Sequence, residues 1–236
     1  MKRRGITSGF GIVAACLALA TFSAGQDVQQ KAAAAKEAAA RNREALRAYS
    51  WISTTELSLK GEVKNTKIES CRYGPDGKVQ KTELSEPPPA AEPKRGGRGG
   101  RVKEKIVAKK TGEMKEELQA AAALVQSYIP PDPAKIQAVI AAGKVTVTPG
   151  DTTAIRFADY EKEGDSLTLT LDSESKSMRQ IAVDTWLEKP EQKVTLAVSF
   201  ESLPEGTSYA AETVLTIPAD EIEVRIENSD YQKIAP

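Results

Sequence analysis

The stretch Asp165–Ser202 reads DSLTLTLDSESKSMRQIAVDTWLEKPEQKVTLAVSFES, and its reading decides the fold. Leu167, Leu169 and Leu171 recur at every second position, as do Val194, Leu196, Val198 and Phe200. That period of two is the signature of strands with one buried face. SESK and EKPE interrupt the alternation with short polar residues, the composition of hairpin turns. Three antiparallel strands in sequence are therefore expected here.

The same grammar extends in both directions. KVTVT and TAIRFADY precede the stretch, TSYAAETVLTI and DEIEVRIEN follow it, and TPGD, EKEGD, LPEGT and IPAD separate them. Ile222, Val224 and Ile226 continue the single apolar face. Upstream, YSWISTTELSLKG places Tyr49, Trp51, Leu57 and Leu59 on one side of a strand. Strands around Lys64–Tyr73 and Val79–Leu84 flank the turn GPDGK, so a meander is expected.

Helices are predicted in three places. Val28–Ala48 is alanine-rich and almost free of breakers. Val107, Thr111, Met114, Leu118, Ala121, Val125 and Tyr128 step alternately by four and three, which makes a stripe along one helix face. A shorter helix starts at Asp132 as N-cap with Pro133 in its first turn and stops at Gly143. An apolar sheet face needs a cover, and these helices can supply it. The expected fold is α+β: a curved antiparallel sheet wrapped on a helical layer.

Residues 1–25 read as a secretory signal: Met1-Lys2-Arg3-Arg4, then GFGIVAACLALATF, then small residues before Gln26 and Asp27. Cleavage after Ala20 or Gly25 fits. Two alternatives stay open, an uncleaved anchor and a lipobox at Val13-Ala14-Ala15-Cys16 that would make Cys16 the lipid-anchored first residue. The expectation is a periplasmic or secreted protein whose residues 26–236 form a single domain. Between Glu86 and Arg101 the prolines and glycines of EPPPAAEPKRGGRGGR break any ladder. A disordered Pro/Gly/Arg-rich loop is expected at about 86–102.

Composition excludes several chemistries. Basic and acidic residues balance at 33 each, and removing the leader leaves a slight acidic excess, so the arginine-glycine run is no nucleic-acid arm. The chain has no histidine, which removes Ser-His-Asp and Cys-His catalysis and imidazole metal sites. Ser173-Glu174-Ser175-Lys176 and Lys110-Thr111-Gly112 match motifs of penicillin-recognising enzymes. The serine belongs in a hairpin turn, however, and the lysine in a helix that precedes it. Neither an enzyme nor a cofactor is indicated. Cys71, in KIESCRYG, reads as a buried inert thiol.

The order of elements resembles the LolA and RseB group of periplasmic lipoprotein-binding proteins. A leader, a helix running into YSWISTTEL, a meander, a helical insertion and a run of strands that includes EGDSLTLTLDSESKSMRQIAV and VSFESLPEGTSYAAETVLTI carry the likeness. It implies an unclosed half-barrel, covered on its concave side by helices, and a carrier that holds a lipid, lipoprotein or other amphiphile in that apolar concavity; a monomer is expected. The alternative is an envelope sensory or structural module contacting a protein partner. Trp51, Leu57, Leu59 and Trp186 are the candidate lining residues, with core packing as the competing role.

Overall fold

The protein is described by a computed structural model over residues 37, 40–84, 100–175 and 177–234. By its contacts the chain divides into two units, Met1–Glu44 and Ala45–Pro236. Of the first unit the described part is helical over 40–44, with Arg41 paired to Glu37 at 2.7 Å. Most of the helix expected over Val28–Ala48, the leader with Cys16, and nearly all of the loop expected at 86–102 lie outside the described residues.

The second unit contains one ten-stranded antiparallel sheet. Its strands are β1 Tyr49–Leu59, β2 Glu62–Tyr73, β3 Val79–Glu83, β4 Val145–Thr148, β5 Thr152–Ala158, β6 Ser166–Asp172, β7 Met178–Trp186, β8 Lys193–Ser202, β9 Ser208–Ile217 and β10 Ile222–Lys233. They lie side by side in the order β3-β2-β1-β10-β9-β8-β7-β6-β5-β4, an open sheet in which the last strand joins the first. The α+β class and the antiparallel pairing are as the alternation predicts, and the sheet is open, as the resemblance implies.

Local chemistry explains the turns. β1 and β2 are joined by Lys60 and Gly61, both at positive φ, 56° and 73°. Two left-handed residues in a two-residue loop match the twist of a hairpin. Between β2 and β3, the Gly74 amide donates to Lys78 O at 2.8 Å and the Lys78 amide to the Asp76 carboxylate at 3.1 Å.

Two helices connect β3 to β4, which form opposite edges of the sheet: α1, Gly100–Gln126, and α2, Pro133–Ala141. Crossing ten strands at their usual spacing takes about 43 Å, and the 27 residues of α1 extend about 40 Å. The helix is thus long enough to make that crossing almost alone. It begins at Gly100, so the last residues of the expected loop belong to it. In α2 the Asp132 side chain accepts from the Ala134 amide at 2.8 Å, with Pro133 behind it, as expected of an N-cap.

The register aligns the apolar positions across the sheet. Val145, Phe157, Leu167, Val183, Leu196, Leu215, Val224 and Leu57 are successive cross-strand partners from β4 to β1. A one-residue slip in any pairing would break this row. Ala121 and Val125 of α1, and Tyr128 in the turn just after it, join the same buried cluster, with Met114 and Leu118 packed against it. These are five of the seven positions of the stripe read from the sequence; the side chains of the other two, Val107 and Thr111, lie outside the described residues.

One polar network lies inside this packing. Asp165 is 1% exposed and accepts from the Tyr160 amide at 2.7 Å, the Lys162 amide at 3.0 Å and the Tyr128 hydroxyl at 2.5 Å. Tyr128 shares a further hydrogen bond with Thr185 at 2.8 Å. The carboxylate therefore closes the turn before β6 and fastens the end of α1 to it.

Candidate functional site

Two adjoining hollows open on the apolar face. The first, about 530 Å³, lies between α1 and the middle of the sheet. Leu118, Ala122 and Val125 of α1, with Ile129 just after it, form one wall, and Leu196, Leu215, Val224 and Ile226 the floor, with Lys115 and Gln119 among the few polar lining residues. The helical stripe and the alternation of β8, β9 and β10 create it together. Its size falls within the range of small-ligand sites, and its walls suit hydrocarbon.

The second hollow, about 290 Å³, lies toward the end of the sheet that holds β1 and β2. Thr213 and Ile226 line both hollows. Here the chain gathers four of its six tyrosines and one of its two tryptophans. Trp51 stacks on Tyr231 with centroids 5.5 Å apart and planes 9° from parallel, and Tyr73 tilts against it at 5.4 Å. Tyr209 approaches Tyr231 to 4.3 Å, and Tyr49 meets the same ring edge-on. Burial pushes the Tyr231 hydroxyl well above the usual phenol range.

Charges near this end are paired. Glu69, buried, accepts from Lys67 at 2.6 Å and Lys81 at 2.9 Å. The hydrogen bond from Lys67, and then Lys81, hold its carboxyl below the ordinary value despite burial. Tyr49 donates to Glu205 at 2.6 Å, and Lys233 lies 2.5 Å from the same oxygen. Cys71 is free and 1% exposed, and burial raises its thiol above the ordinary value.

Of the four residues expected to line a site, Trp51 lines the aromatic hollow. Leu57 and Leu59 pack against the buried cluster. Trp186 follows the fully buried Thr185, so it points to the opposite face of β7, where the Lys162 ammonium sits 4.4 Å from its ring centre. It is separated from Trp51 by β8, β9 and β10.

Tyr73, Tyr209 and Tyr231 were not legible as neighbours of Trp51. On β10, Ser229 pairs with Ile52 and Gln232 with Ser50, so Asp230 and Tyr231 together oppose Trp51. Asp230 has φ 52°, the left-handed conformation of a bulge. The extra residue turns Tyr231 onto the face that strict alternation from Ile222 assigns to its neighbours. The only available signal was Asn-Ser-Asp before Tyr231, residues that tolerate such a bend.

A further cavity of about 490 Å³ has Glu116, Glu117 and Glu188 in its walls and suits an apolar ligand poorly. Among the described residues no cluster of potential metal ligands occurs, and no helix is long and apolar enough to cross a membrane. Comparison with protein-family models, with curated proteins and with solved structures found no match.

Proposed function

We propose that the protein is an exported, non-enzymatic binding protein of the bacterial cell envelope that holds an amphiphile in the cleft between α1 and the sheet. The observation that carries this reading is the cleft itself: about 530 Å³, walled by Leu118, Val125, Leu196, Leu215 and Val224, with little polar surface. A sheet that keeps one apolar face across eight strands under a single long helix can admit a hydrocarbon chain by a small movement of that helix. Burying such a chain contributes about 0.8 kcal/mol per methylene. In this reading the sheet is a LolA-like half-barrel, α1 and α2 cover its concave side, and residues 1–25 direct the chain to the periplasm or outside the cell.

The test is uptake of a fluorescent fatty acid by the purified chain, together with native mass spectrometry of protein isolated from its own envelope. Ala122 is a half-buried wall residue outside the core cluster, so Ala122→Trp should fill the cleft and lower uptake by about tenfold, equivalent to about 1.4 kcal/mol. Absence of uptake by the unaltered chain, with no co-purified amphiphile, would refute the proposal. Crosslinking in cells that traps one membrane protein and no lipid would favour the sensory module instead.

A further inference from the structure

The aromatic hollow contains a polar group that packing does not explain. Ser53 is 3% exposed and lines the hollow, yet its hydroxyl has no hydrogen-bond partner among the described residues. The Trp51 indole N–H has none either. No fully enclosed side-chain nitrogen or oxygen among the described residues is left unpaired, so both groups keep some accessible surface, and both residues line the hollow. Buried donors left open at the floor of a pocket call for a ligand that offers acceptors.

We propose that this hollow binds one hexopyranose ring, and, resting on the function proposed above, that the ring is the head group of the amphiphile whose chain occupies the cleft. Three observations select this chemistry. Tyr73, Tyr209 and Tyr231, half-buried around Trp51, present ring surface against which the C–H face of a pyranose can lie. Trp51 and Tyr231 are stacked on each other and leave no slot between parallel rings in which a nucleobase would insert. The polar groups suit sugar hydroxyls, which both accept and donate. Ser53 and the Trp51 N–H can donate, while Asn228, whose amide nitrogen is engaged with Ala210 O at 2.9 Å, has its amide oxygen as an acceptor.

Competing ligands fit less well. The methylenes of a hydrocarbon chain and a quaternary ammonium group offer no acceptor to Ser53 or the indole. The volume, about 290 Å³, lies at the lower end of small-ligand sites and limits the occupant to about one ring. Thr213 and Ile226, shared by the two hollows, place a ring in one directly beside a chain in the other.

The experiment uses the full chain carrying Trp186→Phe, so that Trp51 is its only tryptophan, and follows indole fluorescence during titration below the micellar concentration. Octyl glucoside is compared with octyl tetraethylene glycol ether, which has the same chain without a sugar, and with methyl glucoside, which has the sugar without a chain. The expected result is octyl glucoside binding about tenfold more tightly than the ether. Ser53→Ala should weaken the glucoside about fivefold to tenfold and leave the ether unchanged, as expected for one lost hydrogen bond. Tyr73→Leu, on the hollow's rim, is the second variant and should act in the same direction.

Equal binding of glucoside and ether, unaffected by either variant, would overturn the sugar site while leaving the amphiphile cleft intact. Methyl glucoside binding as tightly as octyl glucoside, with no binding of the ether, would keep the ring site, assign it to free saccharide and remove the cleft from the ligand. Failure of all three ligands to bind would overturn both proposals.

Discussion

Replacing Tyr128 by Phe removes one oxygen from the best-buried polar network of the protein. The phenol is fully buried, donates to Asp165 at 2.5 Å and shares a hydrogen bond with Thr185 at 2.8 Å. Burial first, and then Asp165, push its pKa far above the ordinary phenol value, so it stays a donor at every working pH. A hydrogen bond to a charged acceptor contributes about 1.5–3 kcal/mol, and a stranded buried hydroxyl costs about 1–3 kcal/mol. Asp165 retains the amides of Tyr160 and Lys162, whereas the Thr185 hydroxyl loses its hydrogen bond to Tyr128. The expected cost of Tyr128→Phe is therefore about 2–4 kcal/mol, a substantial part of the roughly 5–15 kcal/mol that stabilises a typical domain. Urea unfolding followed by circular dichroism should show a lower midpoint at unchanged slope. Adding Thr185→Val removes the stranded hydroxyl, so the double variant should lose less than the sum of the single losses. A single-variant loss under about 0.5 kcal/mol, or strict additivity, would refute the idea that this network fastens α1 to the sheet.

Three other outcomes follow from the side-chain geometry. Lys233, and then Tyr49, lower the Glu205 carboxyl from 4.5 to about 2. Because the folded value is depressed, its stabilising effect is present above pH 4.5 and disappears as the pH falls toward 2. Unfolding midpoints of the unaltered chain and Glu205→Gln should differ above that window and converge below it, and parallel curves throughout would contradict the pairing. Cys71, buried and with its thiol raised, should react with a disulfide reagent about a hundredfold more slowly in the native chain than in urea. Equal rates would show that the β2 site opens freely. Lys162→Met should remove the contact with Trp186 and cost about 0.5–1 kcal/mol, with no change in ligand uptake, since this pair lies on the face away from both hollows. Reduced uptake would mean that the opposite face takes part in binding.

The strands were legible because alternation and turn chemistry are local. Leu167, Leu169 and Leu171 announce β6 within seven residues, and Asp132-Pro133 announces α2. Neighbour relations were not legible in the same way. Nothing within Tyr49–Leu59 states that it pairs with Ile222–Lys233, since alternation specifies a face and leaves the partner open. The site suffered most from this. Trp51 stood out as a rare aromatic, but its companions come from β2, β9 and β10, and a single left-handed residue at Asp230 brings Tyr231 onto the shared face. Trp186 stood out for the same reason of rarity, and the buried Thr185 beside it decides its direction.

The pairing of β10 with β1 also sets an order of events. β1, β2 and β3 are made first, and until β10 follows, the open side of β1 has no native partner. Ile234 finally donates to Ala48 O at 2.8 Å, closing the seam between the earliest and latest strands. Contacts so distant along the chain make folding slow. A nascent chain that stops short of Ile222 can hold hairpins but cannot complete the sheet. Commitment to the native state thus waits until β10 has been made, leaving a long interval in which a partner acting on unfolded polypeptide could capture the chain.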